Sequence, residues 1–285
     1  MRPLAFLLAL VAALAVAACG DDEGSTGSST TETAASSDPC AKDQLETVTA
    51  GTLTVGTDKP AYPPYFADDD PTNGKGFESA VAYAIAGRLG FAKDAVKWKV
   101  VPFNSSYAPG PKDFDFDVNQ ISITPKRAER VDFSSPYFEA PQAVVLPPKS
   151  DLKVSTLADL ARAKLGVQVG TTSLDAVQEV VKPSEDPQVF NDSNDVVQAL
   201  KQGRVDGVVV DLPTAFYVTA AQVEGATIAG QFAAPGGDRW GALLQKDSPL
   251  TPCVSKAIDD LKASGELDKI QSRELGKAAG APELT

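Results

Sequence analysis

Apolar positions between residue 50 and the end of the chain follow two alternating periods. TLTVGT (52–57) and WKVVPF (98–103) are short β-rich runs. Between them Phe77, Val81, Ile85 and Leu89 recur every fourth residue, bracketed by Gly76 and Gly90, the spacing of an amphipathic helix. FDFDVNQISI (114–123) opens with strict alternation: Phe114, Phe116 and Val118 on one face, Asp115 and Asp117 on the other. That pattern predicts a half-buried strand, and a helix is expected after Pro125. Further strands are predicted at AVVLP (143–147), KLGVQVG (164–170), VDGVVVD (205–211) and WGALLQK (240–246). Helices are predicted over 155–163, 171–181, 193–203, 212–222, 249–263 and 266–276, with Ser155 or Thr156 capping the first of these. Strands alternating with helices define an α/β chain with largely parallel sheets.

The first twenty residues stand outside this pattern. Arg2 is a short positive start, Leu4 to Ala17 an apolar run too short to span a bilayer, and Val16-Ala17-Ala18-Cys19 a series of small residues ending in cysteine. This resembles a bacterial lipobox, which implies a signal peptide over 1–18 and a lipid on Cys19; an ordinary secretory signal with an incidental cysteine is the alternative. Gly20 to Pro39 carries Ser, Thr, Gly and acids but no large apolar side chain, so residues 19–39 are expected to form a flexible tether. No later segment is apolar and long enough to cross a membrane, so the mature protein is expected outside the cytoplasm, anchored by lipid.

With 285 residues, 43% hydrophobic, the chain can build one large or two medium domains. Its net charge of -12 disfavours nucleic acid and anionic membrane surfaces as partners. Cys40 and Cys253 frame nearly the whole folded part in an exported setting, which points to a disulfide, with two free thiols as the alternative.

Candidate chemistry concentrates in QISITPKRAERVDFSSPYF (120–138), where a strand gives way to a helix at Thr124-Pro125. Arg127 offers the planar fork that grips a carboxylate, and Ser122 and Thr124 place hydroxyls beside the free N–H groups of a helix start. A pocket for a small carboxylated molecule fits these residues. The chain has no histidine, which removes the commonest general base and metal ligand. Ser150 and Lys153 match Ser-x-x-Lys, yet the companion KTG and SDN motifs are missing. No Walker-type phosphate loop is present, so any ATPase is another polypeptide. Asp113, Asp115 and Asp117 superficially resemble a calcium loop but lack its glycine and distal glutamate. Neither a metal nor a cofactor is expected.

Five stretches then occur in the order found in the family 3 extracellular solute-binding proteins, the polar amino-acid receptors of ABC importers: TVGTDKPAYPPYF (54–66), KGFESAVAYAIAGRLG (75–90), ISITPKRAERVDFSSPY (121–137), KLGVQVGTTSLDAV (164–177) and GRVDGVVVDLPTAFY (203–217). The closing segment at 240–270 is similar as well. The resemblance implies a two-lobe periplasmic-binding-protein-like (type II) fold with two hinge strands and an interlobe cleft. Lobe one is expected at 41–143 plus 238–285 and lobe two at 147–234, with AVVLP and the segment entering WGALL as the hinges. It also implies that Arg127 holds a ligand's α-carboxylate, helped by backbone N–H groups of Ser122 and Thr172. Asp211, the Ser122 hydroxyl and the Gln120 carbonyl would hold the α-ammonium, and Tyr62 and Phe103 would line the pocket.

Each role has a plainer rival. Arg127 could pair with Glu129 or Glu78 on a surface helix; Asp211 and Thr172 could be helix caps; Tyr62, Tyr65 and Phe103 could be core aromatics. The chain also departs from the family pattern. Ala80 replaces an acid, Pro109-Gly110-Pro111 excludes a helix usual at that point, and Gln120 stands where small residues are common. These changes flank the side-chain end of the pocket and leave the ligand's identity open. The expected partners are an amino-acid-like molecule, an ABC permease and its ATPase, with the binding protein itself a monomer. A signalling receptor and a dehydratase-like enzyme on the same fold are the competing readings.

Overall fold

The computed structural model describes residues 38–276 and 280–285. The expected leader, the expected lipidation at Cys19 and the expected tether as far as residue 37 lie outside the described residues. Lobe one contains, in chain order, β1 (Leu53–Thr57), α1 (Phe77–Arg88), β2 (Val96–Val100), α2 (Phe103–Ser106), β3 (Phe116–Asp117), α3 (Pro125–Ala128) and β4 (Val131–Glu139). The chain then crosses and builds β5 (Gln142–Leu146), β6 (Leu165–Gln168), α4 (Thr172–Ala176), β7 (Gln188–Phe190), α5 (Ser193–Lys201), β8 (Gly207–Asp211), α6 (Leu212–Tyr217) and β9 (Thr227–Phe232). It returns through β10 (Arg239–Gln245), α7 (Thr251–Ala263) and α8 (Glu266–Glu274).

The first sheet has the order β2-β1-β3-β10-β4 and the second β7-β6-β8-β5-β9. In each, three strands run parallel and the fourth is antiparallel to its neighbours. That fourth strand always arrives from the other lobe. Helix α1 buries Phe77, Val81 and Ile85 against the first sheet, as its four-residue spacing requires. Phe116, Tyr65, Trp240 and Leu261 complete this core.

Four expectations are corrected. The hinge is not AVVLP: the first crossing is Ala140-Pro141, and β5 is an inner strand of the second sheet, buried at all five positions. An apolar run buried on both faces belongs in a sheet interior, while Pro141, with no N–H, suits the crossing. The Ala140 N–H donates instead to the Asp238 carbonyl on the second crossing, at 2.8 Å. Second, the tail leaves lobe one. Gln231 of β9 donates its N–H to Pro282 O and accepts from the Leu284 N–H, both at 2.8 Å, and Leu284 enters the core of lobe two. β9 is an edge strand with unpaired backbone groups, and the tail covers them. At Gly230 a Cβ would lie 2.6 Å from the Pro282 carbonyl, so this close approach requires glycine.

Third, the 114–123 segment is not half-buried. Asp115 and Asp117 are as inaccessible as Phe114 and Phe116, because β3 is inserted between β1 and β10 with protein on both faces. Asp115 accepts the backbone N–H groups of Thr54 (2.6 Å) and Val48 (2.7 Å), whereas both oxygens of Asp117 have no partner. Burial therefore holds the Asp117 carboxyl far above its ordinary range. The 155–163 helix also shrinks to a single turn, Leu157–Leu160, whose Asp159 carboxylate accepts from the Ser155 and Thr156 N–H groups.

Cys40 and Cys253 form a disulfide with a Cα–Cα distance of 5.3 Å. It ties the start of the folded region to α7, inside one lobe.

Candidate functional site

Thr124 ends an extended stretch and accepts the Arg127 N–H on its side-chain oxygen at 3.2 Å, and Pro125 fixes the first helical turn. This cap aims Arg127 inward rather than to solvent, and the residue is 8% exposed. Its guanidinium donates to the Ser122 carbonyl (2.8 Å) and, across the cleft, to the Gly170 carbonyl (2.9 Å). Tyr107 and Phe103 face it at 4.8 and 5.6 Å, so aromatic rings cover a cation that lacks a carboxylate partner. Burial lowers the Arg127 pKa, while Tyr107, Asp238, Asp175 and Asp211 favour its charged form.

Lobe two supplies the opposite wall. Thr171 caps α4 by accepting from the Leu174 N–H at 3.2 Å, which makes Thr172 its first residue. The opening N–H groups of a helix have no partner inside it. Thr172 Oγ1 lies 3.2 Å from Ser122 Oγ on the facing lobe, and Tyr65 Oη lies 2.8 Å from Thr214 Oγ1. The two walls therefore touch.

Asp211 sits at the start of α6, yet its side chain makes no capping bond. It accepts instead from Gln142 Nε2 at 2.8 Å. Burial raises its pKa strongly, and the nearby Asp238 carboxylate adds to the shift.

Gln120 has a left-handed backbone (φ 49°), and its side chain turns into lobe one. There the backbone N–H donates to Glu78 Oε1 at 2.7 Å and the side-chain amide donates to Glu78 Oε2. Tyr137 also donates to Glu78, at 2.5 Å. The fully buried Glu78 is pushed up to about 7 by desolvation, against these hydrogen bonds. Glu78 thus belongs to Gln120, not to Arg127.

Tyr62, Phe103, Gln120, Ser122, Arg127, Thr172 and Asp211, all named from the sequence, line one cleft. Sequence reasoning missed Asp58, Asn119, Gln168 and Ser193, which line it too. Asp58 had a usable signal, because it directly follows a parallel strand, where α/β ligands collect. It accepts from the Lys59 and Phe103 N–H groups, and burial raises its pKa with a further push from Asp192 on lobe two. The Tyr62 hydroxyl is buried without a partner, and desolvation, Asp192 and Asp58 push it up to about 12. Gln142 and Asp238, beneath the cleft, had no signal in the sequence. Asp113 pairs with Lys99 at the surface, away from the buried Asp117. Among the described residues no group of three acids, histidines or cysteines could hold a metal.

Two α/β lobes that exchange strands through two crossings and share a polar cleft define a hinged binding protein. The chain belongs to the bacterial extracellular solute-binding proteins, family 3, whose model matches residues 53–277. It is 27% identical over 228 residues to the arginine-binding extracellular protein ArtP of Bacillus subtilis (strain 168), covering 78% of this chain and 85% of that one. Against the L-cystine-binding protein TcyJ of Escherichia coli (strain K12) identity is 26% over 229 residues, covering 79% and 83%. A solved structure, an ancestral arginine-binding protein bound to arginine, is similar at 35% identity with a TM-score of 0.66, covering 78% of this chain and 97% of that one. No helix among the described residues is long and apolar enough to cross a membrane.

Proposed function

We propose that this protein captures an α-amino acid with a cationic side chain outside the cytoplasm and delivers it to an ABC permease and its ATPase. The observation that carries the reading is the buried Arg127 on one wall of the cleft, with Asp211 on the other. A zwitterion needs one fixed cation and one fixed anion, and here they come from different lobes, so only a closed cleft engages both ends. Charge-assisted hydrogen bonds contribute about 1.5–3 kcal/mol each, and two or three approach the roughly -8 kcal/mol of micromolar binding. The backbone N–H of Ser122 and the opening N–H groups of α4 at Thr172 would complete the carboxylate seat, while the Ser122 hydroxyl and the Gln120 carbonyl would join Asp211 at the ammonium.

The cationic side chain is supported by Asp58 and Asp192. They bring negative charge from both lobes to the buried Tyr62 hydroxyl. Two of the relatives are named for arginine. The relatives are binding proteins, and with no histidine in the chain we read this protein as a receptor, not an enzyme. Cys19 would carry the lipid that holds the monomer at the membrane.

Calorimetric titration of residues 40–285 with L-arginine, L-ornithine and L-glutamate tests the reading. Saturable binding of the two cationic ligands with none of L-glutamate is expected. Tighter binding of L-glutamate would remove the assigned role of Asp58 and Asp192.

A further inference from the structure

A second carboxylate lies behind the cleft. Asp238 is the last residue of the second crossing and is 5% exposed. Its Oδ2 accepts from Gln142 Nε2 at 2.6 Å and from Thr172 Oγ1 at 2.9 Å. The same Gln142 nitrogen donates its other hydrogen to Asp211 Oδ1 at 2.8 Å. Gln142 Oε1 accepts from the Ser173 hydroxyl at 2.6 Å. The amide is thereby fixed in one orientation, nitrogen toward two carboxylates and oxygen toward a hydroxyl, with each hydrogen used once. Asp238 Oδ1 is buried and has no partner. An unpaired buried oxygen is costly, so this side chain is held in place against its own solvation.

We propose that Asp238 is a positioning residue for both ends of the ligand, acting through Thr172 at the carboxylate seat and through Gln142 and Asp211 at the ammonium seat. The inference rests on the proposed roles of Thr172 and Asp211. It explains why Asp211 leaves its helix uncapped: the Gln142 amide holds the carboxylate. It also makes the hinge part of the recognition apparatus, because Asp238 lies on a crossing while Thr172 and Asp211 lie on lobe two. A motion of that crossing moves both seats together.

The test is calorimetric titration with L-arginine of the wild type, Asp238→Ala, Asp238→Asn, Asp211→Asn and the Asp238→Ala/Asp211→Asn pair, with melting curves confirming the fold. Asp238→Ala is expected to lose at least about tenfold in affinity, since it orphans the buried Gln142 amide and the half-buried Thr172 hydroxyl. Asp238→Asn keeps an acceptor oxygen in place and is expected to stay within about threefold of wild type. The double variant should lose less than the product of the single losses, because Asp238 acts partly through Asp211. Wild-type affinity in folded Asp238→Ala, equal losses in its Asn and Ala variants, or losses that multiply would each overturn the inference. If Asp238→Ala does not fold, Gln142→Met carries the test, and unchanged affinity there overturns it. No binding of L-arginine by the wild type would instead overturn the functional reading, and this inference with it.

Discussion

β10 in the first sheet and β5 in the second occupy the same place, fourth of five, each running against its neighbours. The lobes around them are filled differently. Lobe one packs rings (Tyr65, Phe66, Phe77, Phe116, Tyr137, Trp240) into a large core, with a smaller cluster around Phe114, Ile121 and Leu243. Lobe two divides its core between two clusters of Val, Leu and Ala, with Phe232 the sole fully buried ring among its described residues. Lobe one also buries Glu78, Asp115, Asp117 and Arg127, while the fully buried polar side chains described in lobe two are neutral, Gln142 and Ser173, and its Asp211 is half-buried at the cleft. One topology thus supports two tasks. Lobe one carries the buried ionisable groups and the disulfide, and a more apolar lobe brings Asp211 and the start of α4 to it.

The sharpest way to break this contrast is to open the disulfide. It closes a loop with a sequence separation of 213, for which chain entropy gives roughly 5 kcal/mol as an upper figure. Scanning calorimetry of Cys40→Ser/Cys253→Ser should show a large fall in melting temperature. An unchanged melting temperature would mean that the rings, not the staple, hold lobe one.

Core truncation comes next. Phe77→Ala should cost about 3–5 kcal/mol and Leu165→Ala in lobe two about 2–5 kcal/mol in urea unfolding, the larger ring leaving the larger void. A greater loss from Leu165→Ala would reverse the assignment of the sturdier lobe.

The two grips should differ less. Arg127→Ala should weaken ligand binding by at least about 2 kcal/mol, with Arg127→Lys restoring part, since it orphans a carboxylate and releases the Gly170 contact. Asp211→Asn should weaken binding by less without lowering the melting temperature, because Asp211 caps nothing. An early-melting Asp211→Asn that binds normally would make that residue structural.

The last test reads the buried carboxyls of both lobes by pH. Glu78 titrates near 7 in the folded state against an ordinary 4.5, so the folded protein keeps a proton that the unfolded chain releases. Stability must therefore fall as pH rises from about 4.5 to 7, with Asp117 and Asp211 acting in the same sense. Glu78→Gln should flatten this slope in denaturant titrations at successive pH values. A slope as steep as wild type would place the missing protons elsewhere.

Local rules made much of this legible from residue order. The four-residue spacing from Phe77, the apolar run of β8 and the Thr124-Pro125 start of α3 each act over one turn or one strand, and each formed as the pattern requires. The strand-to-helix junction also marked Arg127 and Ser122 as a local signal, whereas Thr172 and Asp211 were expected only from the family resemblance. What residue order could not give was the identity of distant neighbours. Asp115 and Asp117 alternate with phenylalanines as solvent-facing residues do, yet the fold encloses β3 in mid-sheet and buries them. Leu284 looks like part of a polar tail until β9 offers it an edge, and Gln142 reads as the polar start of an apolar strand until Asp211 and Asp238 meet at its amide. Burial and hydrogen-bond pairing depend on which strands the fold brings side by side, and only the tertiary structure decides that.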